Sequence, residues 1–437
     1  MAVNGTYFTT FLKREIKVIM KIAVIGSGIS GISAAFNLQG PHRVTLFEEQ
    51  DRLGGHTNTV ITEDIDRTIR YIDTGFIVFN EKNYPLFNEF IKKLGIDRNP
   101  SNMSFSFHDE VNKTCYAGSF GGLFPNKKKM FEYRHWHTLL AIYRYSKKLS
   151  NGNVSASNSD SISEYLRALG CPNYVIEDYF LPIAAAIWSC TILSASKIPA
   201  STYVSFFNNH GLFRVKNRPS WQTISDGSIR YIESFKKSFN GEIRLNSKVT
   251  HINKSEESSS LTINGNQSEA FDRVIVATHA DTAAKLVKKD FPNIHIILKS
   301  FKYTKNKVYL HTDQKFMPPV KRAWASWNVI RAHNSNESSA TYMTYYMNKL
   351  QNISSKTKYF VTLNPPQIPE PTKTIYSTEY SHPVLDKTEM ESFKVRQSIN
   401  SHKAIKFCGA YTGYGFHEDG FRSGKEAADM INAEVII

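Results

Sequence analysis

Residues 21–38 read KIAVIGSGISGISAAFNL. Lys21 to Ile25 is a short apolar run rich in β-branched side chains, the pattern of a strand buried on both faces of a parallel sheet. Gly26, Gly28 and Gly31 follow at the spacing G-x-G-x-x-G, and Ile32, Ala35, Phe36 and Leu38 then recur at helical intervals. A strand, a glycine turn and a helix in immediate succession predict a dinucleotide site. The first glycine makes the tight turn, the second lets backbone approach a pyrophosphate, and the third permits close helix–strand contact. Ile29 and Ser30 open the helix whose N-terminus faces the phosphate charge. Gly40-Pro41 closes that helix, Val44 to Phe47 reads as a second strand, and Glu48 ends it 20 residues after Gly28. A carboxylate at that place accepts the hydroxyls of an adenosine ribose.

Glu49 to Thr59 reads EQDRLGGHTNT. This run resembles the E-x-x-x-R-x-G-G-[RH]-T signature of the flavin amine oxidase and phytoene desaturase superfamily, with Arg52, Gly54, Gly55, His56 and Thr57 at the matching positions. The resemblance implies FAD as cofactor. It places Glu49, the Gly54-Gly55 pair, His56 and Thr57 along the diphosphate and flavin. Two distant segments fit the same plan. Residues 246–278 resemble the meander in which the residue at Val249 meets adenine through its backbone, followed by a returning parallel strand. Residues 405–429 resemble the last strand, a turn at Gly409 and the helix capping the flavin end, expected over Gly420 to Ala428 with Asp419 as N-cap. Relatives carry an acid after that glycine, where this chain has Ala410, so Glu418 and Asp419 are the expected substitutes.

Further strings resemble a narrower bacterial group, FAD-dependent amine-oxidase-like proteins encoded beside cyclopropane fatty acid synthases. They include Tyr71 to Phe79 (YIDTGFIVF), Ala185 to Ser189 (AAIWS), Phe206 to Leu212 (FFNNHGL), Ala323 to Asn328 (AWASWN) and Phe407 to Asp419 (FCGAYTGYGFHED). The likeness covers nearly the whole chain from Met20 onward. The expected fold is α/β, a Rossmann-like FAD-binding domain of the two-dinucleotide-binding type, interwoven with an α+β substrate domain. The flavin domain is expected from residues 20–75, 222–285 and 396–437, the substrate domain from 76–221 and 286–395, and residues 1–19 read as an extension.

FAD would carry the redox step, which leaves the protein to position a substrate and tune the cofactor. His311, in the VYLHTD stretch that corresponds to the catalytic region of relatives, is the candidate catalytic side chain; a strand-end histidine in a satisfied hydrogen bond is the alternative. Trp188, Trp324, Trp327, Asn328 and Tyr342 are candidates for a pocket with flat apolar walls and a few polar handles, as a long hydrocarbon substrate needs, and equally for core. The expected reaction is hydride transfer to or from an unsaturated or methylated acyl chain. A flavin amine oxidase acting on a small amine and a catalytically silent flavin-bearing partner protein are the alternatives.

Lys plus Arg exceed Asp plus Glu by 54 to 39, a net charge of +15, which favours phosphate-rich partners. No nucleic-acid recognition module accompanies it, so no nucleic-acid partner is expected. Residues 124–149 (FPNKKKMFEYRHWHTLLAIYRYSKKL) combine cations with aromatic and aliphatic residues at near-helical spacing. That pattern fits peripheral contact with an anionic membrane, and equally a surface helix packing its apolar side on the domain. The pair His135 and His137 lacks accompanying ligands, so no metal is expected. Cys115, Cys171, Cys190 and Cys408 form no CxxC, which suits a reducing compartment. With no run of about 18 apolar residues, a cytoplasmic protein, peripheral to the inner membrane face at most, is expected.

Overall fold

The computed structural model describes residues 19–118, 120–124, 130–151, 160–214, 218–254, 258–332, 340–386 and 389–434. The expected extension at 1–19 and the lysines of 127–129 lie outside those residues, Ile19 apart.

The strand Lys21–Ile25 forms as its composition predicts and sits in the middle of a five-stranded parallel sheet. The order across that sheet is Glu242–Arg244, Arg43–Phe47, Lys21–Ile25, Arg273–Val276, Ile405–Phe407. Ile22, Ala23 and Val24 have no exposed surface, because helices cover one face and a three-stranded meander (Val249–Lys254, Ser259–Ile263, Gln267–Phe271) lies over the other. Strands from three stretches of sequence thus build one sheet. The glycine turn leaves the carboxyl end of the central strand, the side on which ligands of open parallel sheets bind.

A seven-stranded mixed sheet carries the rest of the chain. Its order is Thr374–Pro383, Tyr303–His311, Phe360–Leu363, Ala340–Tyr346, Trp327–Ala332, Phe105–Asp109, Thr114–Ala117, antiparallel except where Trp327–Ala332 runs alongside Phe105–Asp109. A cluster of helices completes the fold, including Tyr133–Asn151, Ile162–Ala168, Leu181–Trp188 and Ala200–Asn209, around a core of Tyr145, Leu149, Leu166, Phe180, Trp188, Tyr203 and Phe207.

One local expectation is corrected, and other details are settled by the packing. The C-terminal helix begins at His417 rather than Gly420, so Asp419 lies in its first turn instead of capping it from outside. The polar stretch 150–163 is helical at both ends: one helix runs through Asn151, and Ser161 caps the next with a reciprocal Ser161–Glu164 capping box. Ser259 and Ser260 begin the middle strand of the meander. Trp324 follows a short 3₁₀ turn, and Trp327 and Tyr342 lie on strands.

Candidate functional site: a dinucleotide cleft closed by histidines

Sterics assign the three glycines of the turn different tasks. Gly26 has φ +98°, a conformation that side chains resist, and its N–H donates to Phe47 O at 2.8 Å. A Cβ on Gly31 would lie 1.8 Å from Gly26 O, so only glycine lets the helix start this close to the strand. A Cβ on Gly28, the N-cap of Ile29–Leu38, would meet no atom within 4 Å. The space before the helix N-terminus is therefore open at the one glycine whose expected role is contact with a ligand.

Glu48 is buried at the end of its strand and accepts from Ser27 N (3.0 Å), Ser27 Oγ (2.5 Å) and Gln50 N (2.9 Å). Those bonds hold its carboxylate beside the turn. The Gly54-Gly55 loop closes over the same turn: Gly54 N donates to Ser27 O at 3.0 Å, and a Cβ on Gly55 would come within 3.2 Å of Gly28 Cα. Arg52 ties the loop by donating to Gly55 O (3.0 Å) and Thr57 O (3.1 Å). Glu49, by contrast, is exposed and faces Lys248 at 3.4 Å. Val249 is buried at the start of the meander, where the register slips before His251.

The C-terminal helix lies across the first helix through Gly420 and Gly424. A Cβ at those positions would come within 2.7 Å of Ile29 Cγ2 and 2.1 Å of Ser30 O, respectively. Gly409 N donates to Ser423 Oγ at 2.9 Å and so joins the last strand to that helix. The sequence expected Glu418 and Asp419 to stand in for the missing acid, but both are engaged elsewhere. Glu418 accepts from Leu86 N and Phe87 N, each at 3.0 Å, and so caps the helix Pro85–Lys93. Asp419 accepts from Tyr414 N (3.1 Å) and Phe416 N (3.0 Å).

Beyond the Gly-Gly loop stands a group of rings that sequence reasoning did not assemble. The buried His56 ring lies 4.9 Å from Tyr380, 5.3 Å from His382 and 5.4 Å from His279, centroid to centroid, and its Nε2 has no partner among the described residues. His382 Nδ1 meets the Asn306 amide at 2.8 Å, and Asn364 donates to Asn306 Oδ1 at 2.6 Å. Thr57 Oγ1 meets Tyr231 OH at 2.5 Å, Tyr231 OH meets His417 Nε2 at 2.9 Å, and His417 stacks on Phe76 at 3.6 Å. A signal for Asn306 was present. It shares a strand face with Val308 and Leu310, so period-2 alternation makes it a buried polar group in need of partners.

Burial keeps these histidines neutral: His382 is pulled down to about 4, His417 to about 3, and His56 and His279 below their ordinary value. Unfolding releases them to titrate near 6.5, so between about pH 6.5 and pH 4 the unfolded chain binds more protons than the native one. Stability is therefore expected to fall as pH drops through that window. Urea midpoints measured at pH 7, 6 and 5 check this, and a His382→Gln variant should show a shallower decline.

His311 does not join the site. Its Nε2 meets Thr362 Oγ1 at 2.7 Å, its Nδ1 accepts from Asp313 N at 3.1 Å, and its strand position is seven residues from Thr304, the residue paired with His382. At a strand rise of about 3.3 Å per residue the two ends stand about 23 Å apart. With both nitrogens engaged inside the sheet, His311 is the satisfied strand histidine.

The proposed pocket residues also separate. Asn328 is fully buried, bonded to Ala325 N and O, Thr344 O and Ser106 Oγ, and is a sheet core residue instead of a substrate handle. Trp324 packs on Tyr346 and Phe360 and donates to Pro318 O. Trp327 packs edge-on against Tyr345. Trp188 packs among Tyr203, Phe206 and Phe416 and donates to Tyr414 O at 3.3 Å. Tyr342 lines a narrow cavity of about 30 Å³ shared with Ala185, Ala186, Asn306, Met343 and Leu363, and Trp324 lines a separate, open cavity of about 820 Å³ with His108, Glu110, Lys113, Lys315 and Lys321.

A profile of the family described as flavin containing amine oxidoreductase matches residues 29–360, from the first helix to the sheet that carries Asn306. The chain belongs to the flavin containing amine oxidoreductase family. An L-amino-acid oxidase of Bungarus fasciatus is 25% identical over 242 residues, 54% of this chain and 45% of that protein. One of Demansia vestigiata is 24% identical over 268 residues, 60% of this chain and 49% of that protein. The chain spans about half the length of these curated relatives. Among solved structures, a CLA-producing fatty acid isomerase from P. acnes superposes with a TM-score of 0.66 at 13% identity, covering 93% of this chain and 97% of that one. Cyclohexylamine oxidase from Brevibacterium oxydans gives 0.64 at 16%, covering 95% and 99%. At these identities the flavin containing amine oxidoreductase fold is what is shared.

The cofactor of this flavoprotein family is FAD, and the residues fit it. Gly28 opens a space that any side chain would fill, Glu48 is pinned where a ribose would lie, and His56 Nε2 is a buried polar atom awaiting a partner. Gly26, Gly28, Ile29, Ser30, Gly31 and Glu48 would hold the adenosine and diphosphate half, and Gly55, His56 and Thr57 the approach to the ring half. When bound, FAD supplies a two-electron acceptor or donor.

Proposed function

We propose that this chain is an FAD-dependent oxidoreductase that removes hydride from, or returns it to, a lipid acyl chain bearing a double bond or a methyl branch. The observation that carries this reading is the lining of the narrow cavity: Ala185, Ala186, Ser189, Cys190, Asn306, Val329, Thr341, Tyr342, Met343, Leu363 and Asn364 include no charged side chain. An amino-acid carboxylate placed there would be a buried charge without a counterion, a cost of several kcal/mol, on the order of 3–5. A methylene group matches the volume of the cavity and meets Ala185, Ala186, Val329, Met343 and Leu363 with no charge to desolvate. Asn306 belongs both to this cavity and to the hydrogen-bonded group reaching His382, so it links the substrate space to the ring end of the dinucleotide cleft. The neutral histidines offer donors and acceptors without positive charge, which suits an uncharged substrate. The resemblance to proteins encoded beside cyclopropane fatty acid synthases supports the same substrate class, and a fatty acid isomerase shares the fold.

The test is anaerobic. Purified yellow protein is mixed with phospholipids bearing unsaturated or methyl-branched chains, and chemically reduced protein with the unsaturated ones. Bleaching in the first experiment or recovery of colour in the second is expected. An Ala186→Val variant, which fills the cavity, should lose the response and keep its flavin. Peroxide release on a panel of small amines would assign an amine oxidase instead. A flavin inert to both panels would assign a silent flavin-bearing partner.

A further inference from the structure

The helix Tyr133–Asn151 is turned opposite to what burial of its large apolar residues demands. Its packed side consists of His135, Thr138, Ala141, Tyr145, Ser146 and Leu149, which meet the helical core around Tyr203 and Phe207. Outside lie Tyr133 (82% exposed), Trp136 (45%), Leu140 (64%) and Tyr143 (57%), preceded by Phe131 (90%). Positions 133, 136, 140, 143 and 147 follow a 3-4-3-4 spacing, so the four exposed rings and aliphatic groups form one stripe that ends at Lys147. Arg144, Lys147 and Lys148 are exposed beside the stripe, Arg134 near its start, and the helix contains no Asp or Glu; Glu132 just before it is the nearest carboxylate in sequence. Water gains nothing from such a surface, because a row of exposed aromatic and aliphatic side chains forfeits hydrophobic stabilisation. Aromatic rings in line with a band of cations match an anionic lipid surface, where rings lodge at headgroup level and cations pair with phosphate.

We infer that this stripe is a docking surface for an anionic bilayer, on which the helix lies in the plane of the interface. The inner side of the helix contacts the core that holds Trp188, Phe206 and, at its edge, Phe416, so docking would bring the helical cluster flanking the C-terminal helix against the membrane. No helix among the described residues is long and apolar enough to cross a membrane, and the inference requires contact alone. It stands on surface geometry and charge, independently of the acyl-chain reading: vesicle binding and flavin bleaching are separate measurements, and either can fail alone.

The holoprotein is sedimented with vesicles of phosphatidylcholine containing phosphatidylglycerol, and with phosphatidylcholine alone. Binding to the anionic vesicles, weak binding to the neutral ones and loss in about 0.5 M salt are expected, since salt shortens the reach of exposed charges. Reversing Arg144, Lys147 and Lys148 together to Glu should reduce partitioning on the order of 100-fold. Replacing Trp136, Leu140 and Tyr143 together by Ser should reduce it at least about tenfold. Because every substituted side chain is exposed, flavin content and far-ultraviolet dichroism should match wild type, which separates lost docking from lost folding. No binding of wild type to anionic vesicles overturns the inference, as does undiminished binding by both triple variants. A concentration-dependent dimer abolished by the Ser variant would assign the stripe to a second copy and overturn it too.

Discussion

Gly28→Val is expected to purify as a folded, colourless protein. The backbone at Gly28 has φ −63° and ψ 176°, which valine adopts without strain, and a Cβ there meets no protein atom within 4 Å. Folding is therefore spared. The added side chain occupies the approach to the first helix N-terminus, where a diphosphate would accept charge-assisted hydrogen bonds from backbone N–H groups. Loss of two such bonds, at about 1.5–3 kcal/mol each, weakens flavin retention by more than about 100-fold. Gly31→Ala serves as the contrast. Its Cβ would lie 1.8 Å from Gly26 O, so that variant should lose folded yield as well as colour. Visible absorbance per protein and thermal melting separate the two outcomes. A yellow Gly28→Val protein would remove the dinucleotide from this turn.

Asp73→Ala should produce the largest loss of stability from a side chain outside the cleft. Asp73 ends the strand Ile69–Asp73 with no exposed surface. Its carboxylate accepts from Ser228 N (2.9 and 3.1 Å), Ser228 Oγ (2.7 Å), Thr59 Oγ1 (2.5 Å) and Gln351 Nε2 (2.8 Å), and its own N–H donates to Gln351 Oε1. Ser228 immediately precedes the helix Ile229–Ser238 of the nucleotide region, while Gln351 follows the strand Ala340–Tyr346 of the large sheet. One carboxylate therefore fastens two regions of the fold. Burial pushes its titration up to about 6 even against these donors, a measure of how little water reaches it. Truncation leaves four donors without an acceptor in a dry place, and a cost of about 3–5 kcal/mol follows. Denaturant titration of wild type, Asp73→Asn and Asp73→Ala should show stability falling in that order. An Ala variant within about 1 kcal/mol of wild type would mean that the fastening is idle.

How far the site was legible depended on whether its parts were neighbours in sequence. Gly26, Gly28, Gly31 and Glu48 were readable because one strand–turn–helix–strand unit fixes their relation before any tertiary contact forms. The Gly54-Gly55 loop was readable for a related reason, since it follows the second strand directly. Asn306, His382, His279 and Tyr231 were not assembled, because each comes from a different stretch and only packing brings them to His56 and Thr57. His311 misled. Its place in the stretch that corresponds to the catalytic region of relatives suggested chemistry, yet strand direction carried it to the far end of its strand from His382. The exposed stripe on Tyr133–Asn151 was half legible. Periodicity disclosed two faces but could not say which one the core would take.

The amino-acid sequence by itself determined the first strand, its glycine turn and helix, and the acid that ends the second strand, because short-range sterics and hydrophobic period act within a few residues of each other; FAD as the cofactor followed from the family resemblance. Tertiary structure alone decided which carboxylates are consumed as caps, which histidines gather around the ring end of the cleft and which helix face is left to solvent. Those outcomes depend on competition among distant segments for the same buried space, and no local pattern encodes the winner.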